Sequence, residues 1–285
     1  AKVKPPEREL VGLRAARSKT FREPDGRLRT ALFEQAVHFL DEAGSGAAGG
    51  KWREIDASFK DSAKAGVGWE SGANRFSVEL AQATRDGLVR FTTRAGSVSV
   101  SLQGAVVGRQ GAKAGKNKVA FGDVLPGVDV EYAVLPDGLK ESIVLRSAAA
   151  PSEYRFVLIP DPGSSWRVEE RGGGVFWFMS EGLAEPAFVL LPPVVGDSAD
   201  AQGASGVGAP PAFAAATGKA SMAVEPQADG SFVVVMRIDE EWLRDPKRVF
   251  PVLLDPTLGV GVDSDDREYV TTQGSRPNTS APTMR

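Results

Sequence analysis

The sequence predicts a mainly β protein of antiparallel β-sandwich type, arranged as two packed β modules with short helical turns. Three observations carry this reading. Aromatic and β-branched residues fall in short runs punctuated by Gly, Pro, Asp and Asn. Gly (32) and Pro (19) are plentiful but follow no collagen-like period. In several runs apolar residues recur at every second position, the spacing that puts them on one face of a strand. A chain of 285 residues with 42% hydrophobic content is long enough to build such a core.

The elements follow in order. Residues 1–17 are charged and irregular and read as a flexible lead-in. Pro24-Asp25-Gly26 is a turn before a strand at 27–33, because Gly after Asp supplies the positive φ a tight turn needs. Val37-His38-Phe39-Leu40 and Lys51-Trp52-Arg53-Glu54-Ile55-Asp56 form a hairpin whose Gly/Ala/Ser tip spans 44–50. Phe76, Val78 and Leu80 share one face of a strand, as do Val98, Val100 and Leu102. In Val128-Asp129-Val130-Glu131-Tyr132-Ala133-Val134 the even positions point inward, and 139–145 returns as the hairpin partner after Gly138. Tyr154, Phe156 and Leu158 repeat the pattern.

Val175-Phe176-Trp177-Phe178-Met179 is apolar at every position, which predicts a central strand covered on both faces. Residues 196–221, rich in Ala, Gly, Ser and Pro, read as a long, weakly structured loop. Phe232, Val234, Met236 and Ile238 mark another strand. Asp239 then caps one helical turn with acids at its start. The last strand is expected at 249–254. Pro251 would sit at its start or at an edge, Leu254 would be buried, and Asp255-Pro256 would stop it and close the domain. Beyond Thr257 a Gly/Asp-rich connector leads to a new strand at Tyr269-Val270 and a polar tail.

Composition narrows the chemistry. With no Cys, disulfides, thiolate catalysis and Cys-ligated zinc are out, and a single His38 rules out a His-rich metal site. The net charge of −3 carries no basic stripe, so no nucleic-acid partner is expected, and no apolar run is long enough for a membrane span. No cofactor motif is present in full. Gly111-Ala112-Lys113-Ala114-Gly115-Lys116-Asn117 is one residue short of a phosphate loop, has Asn where Ser or Thr should hold magnesium, and reads as a basic hairpin tip.

Other candidates are weighed the same way. His38 and Asp56 could belong to a Ser/His/Asp set, but no nucleophile elbow accompanies them, and a strand His making an ordinary hydrogen bond is expected instead. Asp123, Asp129, Glu131 and Glu141 could supply paired carboxylates. With Lys140 beside Glu141, they read as outward-facing charges around a turn. Asp263, Asp265 and Asp266 could bind calcium but lack the spacing of a calcium loop and suit an acidic linker. Among the Trp residues, Trp52, Trp177 and Trp242 sit beside apolar neighbours and are expected in the core. Trp69 and Trp166, in Gly- and Ser-rich surroundings, are the candidate carbohydrate platforms.

The order of motifs is more specific than any one of them. Ser18-Lys19-Thr20-Phe21, Pro24-Asp25-Gly26, His38-Phe39 and Trp52-Arg53-Glu54-Ile55-Asp56 come first. Phe121-Gly122-Asp123-Val124-Leu125-Pro126-Gly127-Val128-Asp129-Val130-Glu131-Tyr132 and Leu139-Lys140-Glu141 follow. Trp242-Leu243, Arg248-Val249-Phe250-Pro251-Val252 and Asp255-Pro256-Thr257 close the series. This set, over 18–257, resembles the segment that precedes the DNRLRE domain of large secreted bacterial RHS/YD-repeat proteins, including wall-associated ones. The 258–285 stretch, with Pro277-Asn278-Thr279-Ser280, resembles a linker and the truncated opening of that domain.

The resemblance implies a secreted or cell-surface setting in a polymorphic-toxin-like protein, and a non-catalytic structural or presentation role. The partner would be the remainder of its own long polypeptide. A module binding cell-wall glycan is the alternative. Asp255-Pro256-Thr257-Leu258-Gly259 faintly resembles the self-cleavage element of RHS cores, with different spacing. The resemblance brings no catalytic residues with it.

Overall fold

Among the described residues twenty-one short strands carry the architecture, and the period-two runs form several of the longest. The computed structural model describes residues 7–41, 50–198 and 219–260. An N-terminal lobe contains β1 (Arg8–Glu9), a 3-10 turn at Val11–Leu13, β2 (Ser18–Arg22), β3 (Leu28–Leu32), β4 (His38–Asp41) and β5 (Lys51–Glu54). Next come β6 (Phe59–Asp61), β7 (Val67–Ser71), β8 (Ser77–Ala81), β9 (Val89–Thr93) and β10 (Gly96–Leu102). They are followed by β11 (Gly111–Lys113), β12 (Lys118–Leu125), β13 (Val128–Leu135), β14 (Gly138–Leu145) and β15 (Glu153–Pro160). The chain continues through β16 (Trp166–Arg171), β17 (Val175–Ser180), β18 (Pro186–Asp197), β19 (Ala220–Pro226) and β20 (Phe232–Ile238). It then forms α1 (Glu240–Arg244) and β21 (Val252–Gly259).

Two antiparallel sheets of eight strands pack face to face. One runs β19-β20-β15-β10-β9-β8-β7-β6, the other β11-β12-β13-β14-β21-β18-β17-β16. Inner residues from both sheets form one hydrophobic core. Ring contacts bridge the layers: Trp69 meets Phe121 edge-on at 6.1 Å, Phe91 meets Phe188 at 6.3 Å, and Phe178 meets Phe232 at 5.1 Å. Strand β13 shows the cause most plainly. Val128, Val130, Tyr132 and Val134 are buried and the residues between them are not, as their alternation dictates. The helical turn α1 forms where expected, with Asp239 accepting a hydrogen bond from the Trp242 amide at 2.9 Å.

The lobe carries its own small sheets, β1-β2-β3 and β4-β5. Backbone bonds connect its parts and tie it to the sandwich: the Val37 amide donates to the Ala16 carbonyl at 2.8 Å, Ile55 to Val37 at 2.9 Å, and Asp56 to Ala73 at 2.8 Å.

Several boundaries differ from those read in the sequence. Part of the expected lead-in is structured: β1 pairs with β2, and Glu9 is held by Arg14 through two bonds of 2.7 and 2.9 Å. The expected loop at 196–221 is trimmed at both ends, because Gly196 and Asp197 finish β18 while Ala220 and Ser221 open β19. Residues 42–49, which include most of the tip expected at 44–50, residues 199–218 and those from 261 lie outside the described residues. Strand β17 is covered on both faces but lies next to the edge strand β16 and is not central.

The last strand departs most. Pro256 does not stop it; β21 runs on to Gly259 in the middle of its sheet, between β14 and β18. The ladder accommodates the proline. On one side the pairing of β14 with β21 is silent between Lys140↔Thr257 and Ile143↔Leu254, so the missing N–H is not called upon. On the other, the register of β18 shifts between Leu191 and Val194, where Pro192 and Pro193 stand. Leu254 is fully buried, as expected.

Candidate functional site

Two places in the fold combine shape with polar chemistry. The larger is a cleft of about 760 Å³ between the lobe and the outer face of the second sheet. Phe39, Leu40 and Trp52 come from the lobe, and Val175, Trp177 and Val189 from the sheet. Charged residues such as Arg94, Asp137 and Glu185 also line it. This cleft explains why β17 is apolar throughout: its inner face meets the opposite sheet and its outer face meets the cleft. One face of the Trp177 ring carries the Arg171 guanidinium, 4.5 Å from its centroid.

The Trp residues therefore sit differently from the sequence reading. Trp69 is 9% exposed, packed on Phe121, and offers no ring face to a sugar. Trp166 packs edge-on to Phe188 at 5.2 Å with its Nε1 buried. Trp52 and Trp177, expected in the core, line the cleft instead, whereas Trp242 does pack against the core. Flanking glycines and serines say nothing about which sheet face a ring occupies; strand parity decides that.

The second place is inside the sandwich. Leu139, Glu141, Ile143 and Leu145 share the inward face of β14, so the carboxyl of Glu141 points into the core rather than outward as its charged neighbour suggested. It faces a small cavity of about 40 Å³, lined otherwise by apolar side chains and the Tyr132 ring. Tyr132 stands directly opposite on β13, and Glu141 Oε1 is buried with no partner. Burial pushes the Glu141 carboxyl up to about 7, against the opposing pull of the facing Tyr132 hydroxyl. The signal for this was present in the sequence: Glu141 has the parity of Leu139, Ile143 and Leu145.

The other carboxylates are taken up in surface pairs. Arg146 holds Asp123 and also reaches Asp129 at 3.3 Å, and the Asp129 carboxylate accepts the Asp123 amide at 2.7 Å. The Arg146 bond lowers the pKa of Asp123. Glu131 pairs with Lys118 at 2.6 Å. His38 is 1% exposed, with Nδ1 2.8 Å from the Ala15 carbonyl and Nε2 3.8 Å from Glu9. Asp56 bonds Ser58 at 2.6 Å and Lys60 at 2.8 Å, interactions that lower its pKa. Gly111 belongs to β11 for a packing reason: a Cβ there would lie 2.6 Å from the Phe121 ring and 2.7 Å from Trp69. Among the described residues no group of three or more His, Cys, Asp or Glu could hold a metal, and Asp263, Asp265 and Asp266 lie outside them. No helix among the described residues is long and apolar enough to cross a membrane.

The chain is similar to three curated proteins over 270 residues, each at 23% identity. They are the tRNA nuclease WapA of Bacillus subtilis strain 168, the tRNA(Glu)-specific nuclease WapA of Bacillus subtilis subsp. natto, and the tRNA3(Ser)-specific nuclease WapA of Bacillus spizizenii. The alignments cover 91% of this chain but only 11% of each relative. No protein-family profile matches the chain. No solved structure matches it either.

Proposed function

We propose that this chain is a non-catalytic structural and presentation module of a large secreted or cell-surface, polymorphic-toxin-like RHS/YD-repeat protein. One observation carries the reading: nearly the whole chain aligns with about a tenth of much longer tRNA nucleases, in a region that here folds as a β-sandwich. The exposed carboxylates engaged with Arg and Lys, and a His38 bonded to backbone, support a scaffold over a hydrolase. The partner is the remainder of the chain's own polypeptide. Val11, Leu13, Leu28, Leu32, Phe33 and Leu40, all large exposed apolar residues of the lobe, support docking through that part. Removing residues 18–257 from the full-length polypeptide is expected to abolish its display at the cell surface, measured by protease shaving. The purified chain is expected to leave tRNA uncut; cleavage would overturn the non-catalytic reading.

The cleft favours a second reading, binding of a cell-wall glycan. Its size lies in the range of small-ligand sites, about 300–1,000 Å³, and aromatic rings from both parts meet there. Peptidoglycan pull-down by the wild-type chain, lost in Trp52→Ala and kept in Trp69→Ala, is the result this reading requires.

A further inference from the structure

We propose that Glu141 and the cavity it faces form a proton-operated device that tightens the sandwich as the surroundings acidify and loosens it as they turn alkaline. The geometry is specific. The Glu141 carboxyl stands between Tyr132 on β13 and Pro256 on β21, at the stretch where the β14–β21 ladder makes no pairing. The Tyr132 side chain stands directly across the ladder, and the carboxyl oxygen Oε1 is buried without a hydrogen-bond partner. A cavity of about 40 Å³ lies against it, enough for one or a few water molecules.

The groups facing the carboxyl can be named element by element. Strands β9 and β10 present Val89 and Val100, β15 presents Phe156 and Leu158, and β20 presents Val234 and Met236. From the same sheet come Leu139, Leu190 and Leu258. Tyr132 is the one other titratable group lining the cavity, and burial raises its pKa well above the ordinary phenol value. Tyr154 shares the inner face of β15 but does not line the cavity. Lys140 and Asp255 pair with each other at 2.9 Å through side chains that are not among the lining groups.

A protonated Glu141 is neutral and sits in this chamber at little cost. Its ionised form is a carboxylate with no facing cation and one unbonded oxygen, an arrangement that burial penalises. Ionisation therefore weakens the seam between β14 and β21, the central junction of the second sheet. The sign follows from the folded carboxyl holding its proton to about pH 7 while the unfolded one releases it near 4.5. Stability from this group is full below the unfolded value. It falls across that interval and stays low above it.

Two measurements test the device. Infrared titration of the intact chain should show a protonated-carboxyl band that disappears with a midpoint near neutrality. If every carboxyl is ionised by about pH 6, the device does not exist. In urea, the unfolding constant of the wild-type chain should rise between about pH 5 and pH 8 by roughly 70-fold more than that of Glu141→Gln. Equal pH dependence in the two chains overturns the proposal, and if the variant does not fold, the infrared titration alone decides.

Discussion

At the scale of single residues, packing and parity decide what each side chain does. Leu254 is fully buried in the middle of its sheet, paired in register with Ile143 and Val195. Leu254→Ala should cost about 2–5 kcal/mol in urea unfolding, the range for emptying a core site. Gly111→Ala should cost about 1–3 kcal/mol, because the new methyl meets the Phe121 and Trp69 rings inside contact distance. If that variant is as stable as wild type, the two rings can move aside and the tight fit is not what keeps glycine there. The burial of Leu254 was legible because an apolar run too short for a helix and too greasy for a linker has little choice. The inward turn of Glu141 was obscured by Lys140, since a pair of adjacent charges suggests a solvated face even though neighbours on a strand point to opposite sides. The Trp residues depart from the sequence pattern for a related reason: local polarity does not report exposure, and Trp69 closes the core between its two layers.

At the scale of elements, alternating runs were legible wherever one face is buried and the other is wet. Strands β13 and β15 satisfy this, and their inward residues are those the sequence alternation singles out. Elements with two covered faces were harder, because alternation vanishes when both sides are apolar. Strand β18 is the clearest case: its run from Pro186 carries Pro192 and Pro193, which argue locally against a strand and are tolerated at a register shift. Strand β21 hid its second half behind Pro256 in the same way. Its position between β14 and β18 makes it indispensable, so a chain ending at residue 259 should fold and one ending at residue 248 should not, by circular dichroism and cooperative urea unfolding. A shortened 1–248 chain that melts with the full-length midpoint would remove β21 from the core. The same position bears on Asp255-Pro256-Thr257, where a self-cleaving bond would have to react from within a central strand.

At the scale of the whole molecule, the paired carboxylates of the lobe and the buried Glu141 of the sandwich respond to acid in opposite directions. In the lobe, the Arg14 bond to Glu9 and the Lys19 bond to Glu54 hold both carboxyls below their ordinary range, and Asp56 at its border is lowered by Lys60 and Ser58. Their contribution is present above the unfolded values of about 4 and is lost as pH falls through the lower folded ones. Glu141 works the other way, costing stability as pH rises from 4.5 to about 7. Hydrogen exchange should therefore show lobe amides losing protection first below about pH 4, and β14 and β21 amides losing it first toward pH 8. A single pH profile shared by lobe and sandwich amides would mean that the two parts open together.

The seat of β21 also sets a timetable. Its neighbours arrive in two separate blocks, β11 to β14 and then β16 to β18, and no other described strand of their sheet joins them before β21 is delivered. A chain emerging end-first, from a ribosome or through a pore, holds two half-sheets with the raw edges of β14 and β18 open until that moment. Such long-range closure is slow, and unpaired edges are what chaperones and neighbouring chains seize. The sandwich stays threadable until β21 is delivered and then locks in one late step, an order of events written into the position of a single eight-residue strand.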